Sequence, residues 1–515
     1  MKPFVLCSSF AALALTLGSC SGGAGIGQPA GTSNDVAAST KHTTHHVRAL
    51  TRVHSNAVTG GIVVLHVYDT AGHHLNWGQF RAFEENGNGS EGDNDVLLDP
   101  ATMRIITMWP LESTTDNSGD PMFSMPSQPT GLAFAWPTTD GYSNIIVNLP
   151  DAPGTYVYNL LAARQLVSDL DGAVAARPWY TKSTEFNTAY AAAHTLLDDA
   201  NAATTESSQG AYGAQAMNAA VHAEVLLLSQ SGLQYARAHY DGTGQPEWAV
   251  TVDTLTGGTS NLQTIANLYG TDGWLRLQFL EEEPPSYYAS EVASAKKLGL
   301  HVVGQILDSS DWPDLSYAQW EARVQSYVQA FPNIDEWEVG NEANGNWLGT
   351  GVAQKINYAA AYVKAHTHAR VLLTLYWYLG DDDAQHSMFT WAGANLNSSI
   401  MSHVDDLGIS LYPEEEPMGS AFERVVTTLH NQYPAQRVMV TELDYWTDDG
   451  DHIWWWGSQS DPYHAGRIDV ANYYQAALYS YPYAGGGSFW WNYVEEVLPQ
   501  GSGLWNALHA LHGQV

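Results

Sequence analysis

The chain is expected to be an α/β protein whose C-terminal half forms a (β/α)8 TIM barrel, preceded by a small β-sandwich and an α-helical hairpin. Three observations predict this. From Glu247 onward, eight short apolar runs alternate with helical stretches; two of those runs end in a glutamate; and the texture before them changes from short β-rich runs to Ala-rich helix. Eight repeats in roughly 270 residues suit a barrel of this class. An open doubly wound sheet is the alternative, but no glycine-rich phosphate loop follows the first run.

At the start, Lys2 precedes an apolar stretch from Phe4 to Leu17, too short to span a bilayer as a mature helix and shaped like an export signal. It ends in Leu17-Gly18-Ser19-Cys20, which resembles the lipobox of bacterial lipoproteins. The resemblance implies cleavage before Cys20 and its lipidation, hence an exported lipoprotein anchored in a membrane, periplasmic or on the cell surface. An ordinary signal peptide with an incidental cysteine is the alternative. Cys7 is removed either way, so the mature body has no internal disulfide and must rely on ordinary cores. The expected organisation is a signal over 1–20, a flexible Gly/Ala/Ser/Thr-rich tether over 21–47, a β-sandwich over 48–157, a helical linker region over 158–243 and a catalytic barrel over 244–515. His42, His45 and His46 belong to the tether and read as solvated.

With 515 residues and 44% hydrophobic content, the chain can bury several cores. Twenty Lys+Arg against 54 Asp+Glu give a formal charge of −34, which argues against nucleic acid as a partner and, on average, against acidic glycans. A neutral polymer tolerates that charge. Nineteen Trp and 28 Tyr supply flat faces of the kind on which sugar rings stack, although most belong to cores.

Runs such as Gly61 to Tyr68 and Tyr142 to Leu149, bounded by Gly, Asn, Asp and Pro, read as sandwich strands. That domain could bind sugar or brace the barrel. Between Thr184 and His239, Tyr190, His194 and Leu197 mark one helix and Val221, Val225 and Leu228 another, with a break expected over Ser207 to Tyr212. The barrel strands are expected at Trp248–Asp253, Trp274–Leu280, His301–Ile306, Glu336–Gly340, Val371–Trp377, Leu407–Leu411, Arg437–Thr441 and Gly487–Asn492. Trp320, Val324, Tyr327 and Val328 at helical spacing, then Pro332-Asn333, mark one intervening helix and its stop.

The chemistry is carried by Trp337-Glu338-Val339-Gly340-Asn341-Glu342 and Val438-Met439-Val440-Thr441-Glu442-Leu443-Asp444. Each is an apolar run closing on a glutamate at a barrel strand's carboxyl end, where barrel chemistry resides. Two such carboxylates, roughly 100 residues apart in sequence, can share the acid/base and nucleophile work of glycoside hydrolysis. These segments resemble strands four and seven of clan A glycoside hydrolases. The resemblance implies a retaining enzyme with Glu342 as acid/base and Glu442 as nucleophile, acting on a β-linked polysaccharide or oligosaccharide such as xylan. It further implies that Asn341 bonds the sugar 2-hydroxyl, that Arg276 supports the nucleophile, that Tyr412 positions it, and that Trp490 or Trp491 closes strand eight. Thr441-Glu442-Leu443-Asp444 is similar to family 10 xylanases, and Glu338 to Glu342 to families 39 and 53. Gln305 stands where family 10 carries a histidine, which weakens the likeness to xylanases.

Trp347, Trp377, Tyr445, Trp446 and Trp454 to Trp456 are expected to be aromatics of the active face, giving several subsites and endo action, or to pack the loops. Glu414 to Glu416 with Asp448, Asp449 and Asp451 read as a solvated acidic rim rather than a calcium site. No cofactor or metal is expected. The competing class is a lipid-anchored, non-catalytic glycan-binding protein on a barrel scaffold.

Overall fold

A computed structural model of the chain describes residues 61–514 except 85–94, 109, 112–114, 117, 241–246, 253–258, 271–272, 380–382, 414–415 and 446–461. The expected signal, Cys20, the tether with its three histidines, Trp446, Trp454 to Trp456, Glu414, Glu415 and the three loop aspartates lie outside the described residues.

The amino-terminal strands are β1 (Ile62–Tyr68), β2 (His74–Leu75), β3 (Val96–Leu98), β4 (Ile105–Met108), β5 (Met122–Ser124), β6 (Gly131–Thr138), β7 (Gly141–Asn148) and β8 (Gly154–Val157), with helix α1 (Trp77–Glu84) after β2. They make two four-stranded sheets, β2-β1-β5 with β8 beside β1, and β4-β3-β6-β7. Val63 and Leu65 of the first sheet and Leu132, Phe134, Ile145 and Val147 of the second enter one apolar core. The opposite face of the second sheet, with Val96, Leu98, Ala133, Ala135 and Ile146, joins the barrel's core instead. Both faces of this sheet are therefore covered, as its apolar composition requires.

Three helices complete this half: α2 (Tyr158–Ala175), α3 (Thr184–Ala202) and α4 (Glu206–His239). The break between the last two falls at 203–205, earlier than expected from sequence, because Thr205 caps α4 by accepting from the Ser208 amide. The Ser207 to Tyr212 stretch, read from sequence as a breaker, is inside α4. Its Gly210 is tolerated because a β-carbon there would stand 2.3 Å from the Tyr68 ring, so close packing outweighs the helix cost of glycine. Further along, a β-carbon on Gly232 would lie 1.8 Å from the Ala476 carbonyl. This glycine lets α4 press directly on the barrel.

The barrel strands are β9 (Ala249–Val252), β10 (Trp274–Gln278), β11 (His301–Gln305), β12 (Glu336–Gly340), β13 (Arg370–Tyr376), β14 (Asp406–Leu411), β15 (Arg437–Leu443) and β16 (Ala484–Trp490). All pair in parallel, and β16 closes on β9. The fold is the (β/α)8 barrel that the alternating runs predicted, with strand ends shifted by a few residues. The surrounding helices are α5 (Thr259–Tyr269), α6 (Pro285–Lys297), α7 (Tyr317–Ala330), α8 (Val352–His366), α9 (Met388–Asn395), α10 (Ser398–Met401), α11 (Phe422–Gln432), α12 (Pro462–Leu478) and α13 (Gly503–His512). Helix α7 shows how local sequence sets an element. Ser316 and Gln319 form a reciprocal capping box, and Trp320, Val324, Tyr327 and Val328 make its buried stripe.

Inside the barrel, Ala249, Trp274, Val303, Leu372, Met439 and Phe489 form an apolar layer. At the strands' amino ends, buried Glu247 and Asp406 pair with Arg437, and Asp406 also with Arg370. Two residues beyond the apolar layer, strand alternation brings Arg276, Gln305, Thr374 and Thr441 inward. That polar layer is the floor of the site. Among the described residues, no helix is long and apolar enough to cross a membrane.

Candidate active site

Glu342 stands two residues past the end of β12. Its φ of 47° is a left-handed conformation that non-glycine residues seldom adopt and that clusters at functional sites. Its two carboxylate oxygens accept from two serines: Ser410 Oγ to Oε1 at 2.8 Å and Ser309 Oγ to Oε2 at 2.7 Å. Burial, and next the negative charge of Glu442, push its pKa well above the ordinary carboxylate value, while the serine hydroxyls pull it down.

Glu442 sits near the end of β15, where a register irregularity sets it opposite Ser410. Its Oε2 accepts from Arg276 Nη2 at 2.9 Å and Asn341 Nδ2 at 3.1 Å, and its Oε1 accepts from the Tyr412 hydroxyl. Burial raises its pKa to about 7 against the opposing pull of Arg276 and of the Tyr412 hydrogen bond. The two glutamates thus occupy opposite settings. Glu442 faces three donors, one of them a cation, and Glu342 has no cation among its hydrogen-bond partners.

Arg276 is itself divided between carboxylates. Its Nε and Nη2 make a two-point contact with Glu338 at 2.7 and 3.1 Å, Nη2 reaches Glu442, and Nη1 donates to Thr251 Oγ1 at 3.3 Å. Thr374 Oγ1 donates to Glu338 at 2.6 Å. The Trp491 ring lies 5.1 Å from the guanidinium carbon, a cation–π distance. Between Glu338 and Glu342 in the chain, Asn341 Oδ1 accepts from the Ser309 amide at 2.9 Å, and its side-chain amino group donates to Glu442.

The other residues expected at the site divide. Trp491, one residue past β16, is half-buried over Arg276; Trp490 is fully buried in the outer core with its indole N–H on Glu496 at 3.0 Å. Trp377 is also buried in that core, because alternation along β13 turns Tyr376 inward and its neighbour outward. Tyr376, Tyr378 and Tyr412 instead form a small aromatic cluster on which the half-buried Trp347 packs. Gln305 is buried with neither amide atom hydrogen-bonded. Tyr445 is fully buried rather than displayed on the loop, and Glu416, expected on a solvated rim, is 8% exposed with its amide on the Tyr412 carbonyl. Among the described residues, no group of three or more His, Cys, Asp or Glu is placed to hold a metal ion.

Glu338, Ser309, Ser410 and Thr374 were not singled out from sequence. Glu338 was legible: it is two residues from Glu336 and therefore shares its inward face, and an inward carboxylate demands a cation such as Arg276. Ser410, two residues before Tyr412, follows from the same rule. Ser309 lies on a loop after β11 and gave no periodic signal.

No family model matches the chain, and no curated protein does. Solved structures do resemble it. A GH113 β-1,4-mannanase matches at 12% identity over 52% of this chain and 98% of its own, with a TM-score of 0.37. A GH10 xylanase from Bispora sp. MEY-1 with xylobiose matches at 15% identity over 54% and 99%, TM-score 0.37. A GH128 endo-β-1,3-glucanase from Amycolatopsis mediterranei in complex with laminaritriose matches at 12% identity over 52% and 99%, TM-score 0.32.

Proposed function

We propose that the protein is a retaining glycoside hydrolase of β-linked glycans, with Glu442 as nucleophile and Glu342 as acid/base. One observation carries the reading: two glutamates at the carboxyl ends of β12 and β15 meet inside the barrel in different settings, Glu442 on the Arg276 guanidinium and Glu342 on two serine hydroxyls, as the two steps of retention require. Arg276, Asn341 and Tyr412 favour ionised Glu442, which attacks the anomeric carbon. Burial and the charge of Glu442 favour protonated Glu342, which delivers a proton to the departing oxygen. After the leaving group departs, Glu342 is a carboxylate and can deprotonate the water that releases the sugar from Glu442. Asn341 is placed to donate to the 2-hydroxyl, a bond that strengthens as the ring acquires positive charge.

Trp347 and the tyrosine cluster that includes Tyr412, the donor to Glu442, support an aromatic platform for a further sugar, and hence endo action. Export as a lipid-anchored protein through Cys20 belongs to the same proposal, since a polymeric substrate is met outside the cell. The test is reducing-sugar release by the chain lacking its first 20 residues across xylan, mannan, β-1,4-glucan, β-1,3-glucan, galactan and arabinan. Release from one polymer, lost in Glu442→Ala, is expected. Affinity for a polymer with no release from any would instead favour the glycan-binding class.

A further inference from the structure

The hydroxyls of Ser309 and Ser410 reach one carboxylate, one oxygen each, from two elements that also frame the rest of the site. Ser309 opens the short turn after β11, where Asp308 accepts from the Ser310 amide at 3.0 Å and Asn341 accepts from the Ser309 amide at 2.9 Å. Ser410 lies within β14, opposite Glu442, and its carbonyl accepts from the Trp377 amide at 2.8 Å. Neither hydroxyl is on a free loop tip. Both are buried, and together they fix the rotation of a side chain whose backbone is already in a left-handed conformation.

Building on the hydrolase reading, we infer that Ser309 and Ser410 are positioning residues that form a two-hydroxyl cradle for Glu342, orienting its carboxyl and setting its proton affinity. The charged groups facing Glu342 are otherwise unfavourable to its charge, Glu442 from β15 and Asp308 from the β11 loop, while the phenol of Tyr412 after β14 is held neutral. Without donors, a buried carboxyl among these groups would hold its proton too tightly to surrender it during the first step or to act as a base in the second. Hydroxyls that donate to both oxygens stabilise the carboxylate and lower that affinity. In the acid form, the serine facing the protonated oxygen turns its own hydrogen away, which leaves the carboxyl proton free to point at the glycosidic oxygen. On transfer the hydroxyl turns back. The cradle thereby favours the product of the proton-transfer step over its reactant.

The test uses the glycan or aryl glycoside that the intact enzyme cleaves, with Ser309→Ala, Ser410→Ala, the double variant and Ser309→Thr. Loss of the donors is expected to move the alkaline limb of the kcat/KM profile upward, by about half a pH unit for each serine and about one for both. KM should change little, and Ser309→Thr, which keeps the hydroxyl, should restore the native limb. In parallel, the Glu342 carboxyl is titrated by carbon-13 NMR, its resonance identified by its loss in Glu342→Gln. A midpoint raised in the alanine variants supports the cradle without recourse to turnover. A fall in kcat with an unmoved limb and an unmoved carboxyl titration overturns it. Should the intact enzyme cleave no glycan, the hydrolase reading fails, and the carboxyl titration alone then decides for or against the cradle.

Discussion

At the level of single residues, the site is a chain of shared charges rather than two isolated glutamates. Arg276 bonds Glu338 by two nitrogens and Glu442 by one, so the negative charge of Glu338 offsets part of what the guanidinium offers Glu442. Glu338 is among the causes that raise the Glu442 pKa. Glu338→Gln should therefore shift the acidic limb of kcat/KM to lower pH, by about half a unit to one unit, while keeping a carbonyl for Arg276. A pH–rate profile checks this. An acidic limb that rises instead would mean that Glu338 acts chiefly by holding Arg276 in place. The sign follows from linkage: Glu442 must be ionised to work, and removing a neighbouring negative charge lets it ionise earlier. The main pair was legible at this scale because Asn341-Glu342 and Thr441-Glu442 each close an apolar run. Trp377, expected on the active face, instead enters the outer core, and of the alternatives Trp490 and Trp491 the first does the same. Each sits one residue from an aromatic on the other face, and in a strand one residue decides which face is reached.

Elements show where sequence patterning suffices. The barrel strands were visible as apolar runs because parallel strands are covered on both faces, and α7 was visible because its stripe and its stop coincide with Trp320 to Val328 and Pro332. The start of α4 was misjudged because Ser207, Ser208 and Gly210 resemble a turn. In the fold Gly210 admits Tyr68 and the following Gly213 admits the backbone of Asn159, contacts that no local pattern announces. Gly232 carries the same lesson against the barrel. A methyl group there cannot be accommodated unless α4 or α12 shifts, since the Ala476 carbonyl occupies its place. Gly232→Ala should cost about 1–3 kcal/mol, the usual range for overpacking, read as a lowered denaturation midpoint. An unchanged or raised midpoint would show that α4 does not press on α12 this closely.

For the whole molecule, the amino-terminal half and the barrel share a core, and the acidic composition reaches into the barrel's base. Glu336 is fully buried beneath the apolar layer, and burial followed by the charges of Glu247 and Asp406 raises its pKa well above the ordinary value. Because its folded pKa lies above its unfolded one, no stability is lost below the unfolded value, and the penalty grows as pH climbs toward the folded one. Glu336→Gln should therefore raise the thermal midpoint at pH 8 and raise it less at pH 5. Equal effects at both pH values would show that Glu336 is not the group whose charging is penalised. The lipoprotein reading expects Cys20→Ala to move the protein from the membrane to the soluble fraction. Unchanged membrane association in cell fractionation would refute it.

As the proposed nucleophile, Glu442 forms a covalent bond to the sugar. The most direct measurement is mass spectrometry of the enzyme after exposure to an activated 2-deoxy-2-fluoro glycoside of the sugar released from its polymer. The expected result is a stable adduct of one fluoroglycosyl unit on the proteolytic peptide carrying Glu442, absent in Glu442→Ala. An adduct on another residue, or turnover with inverted product configuration and no adduct, would contradict the assignment.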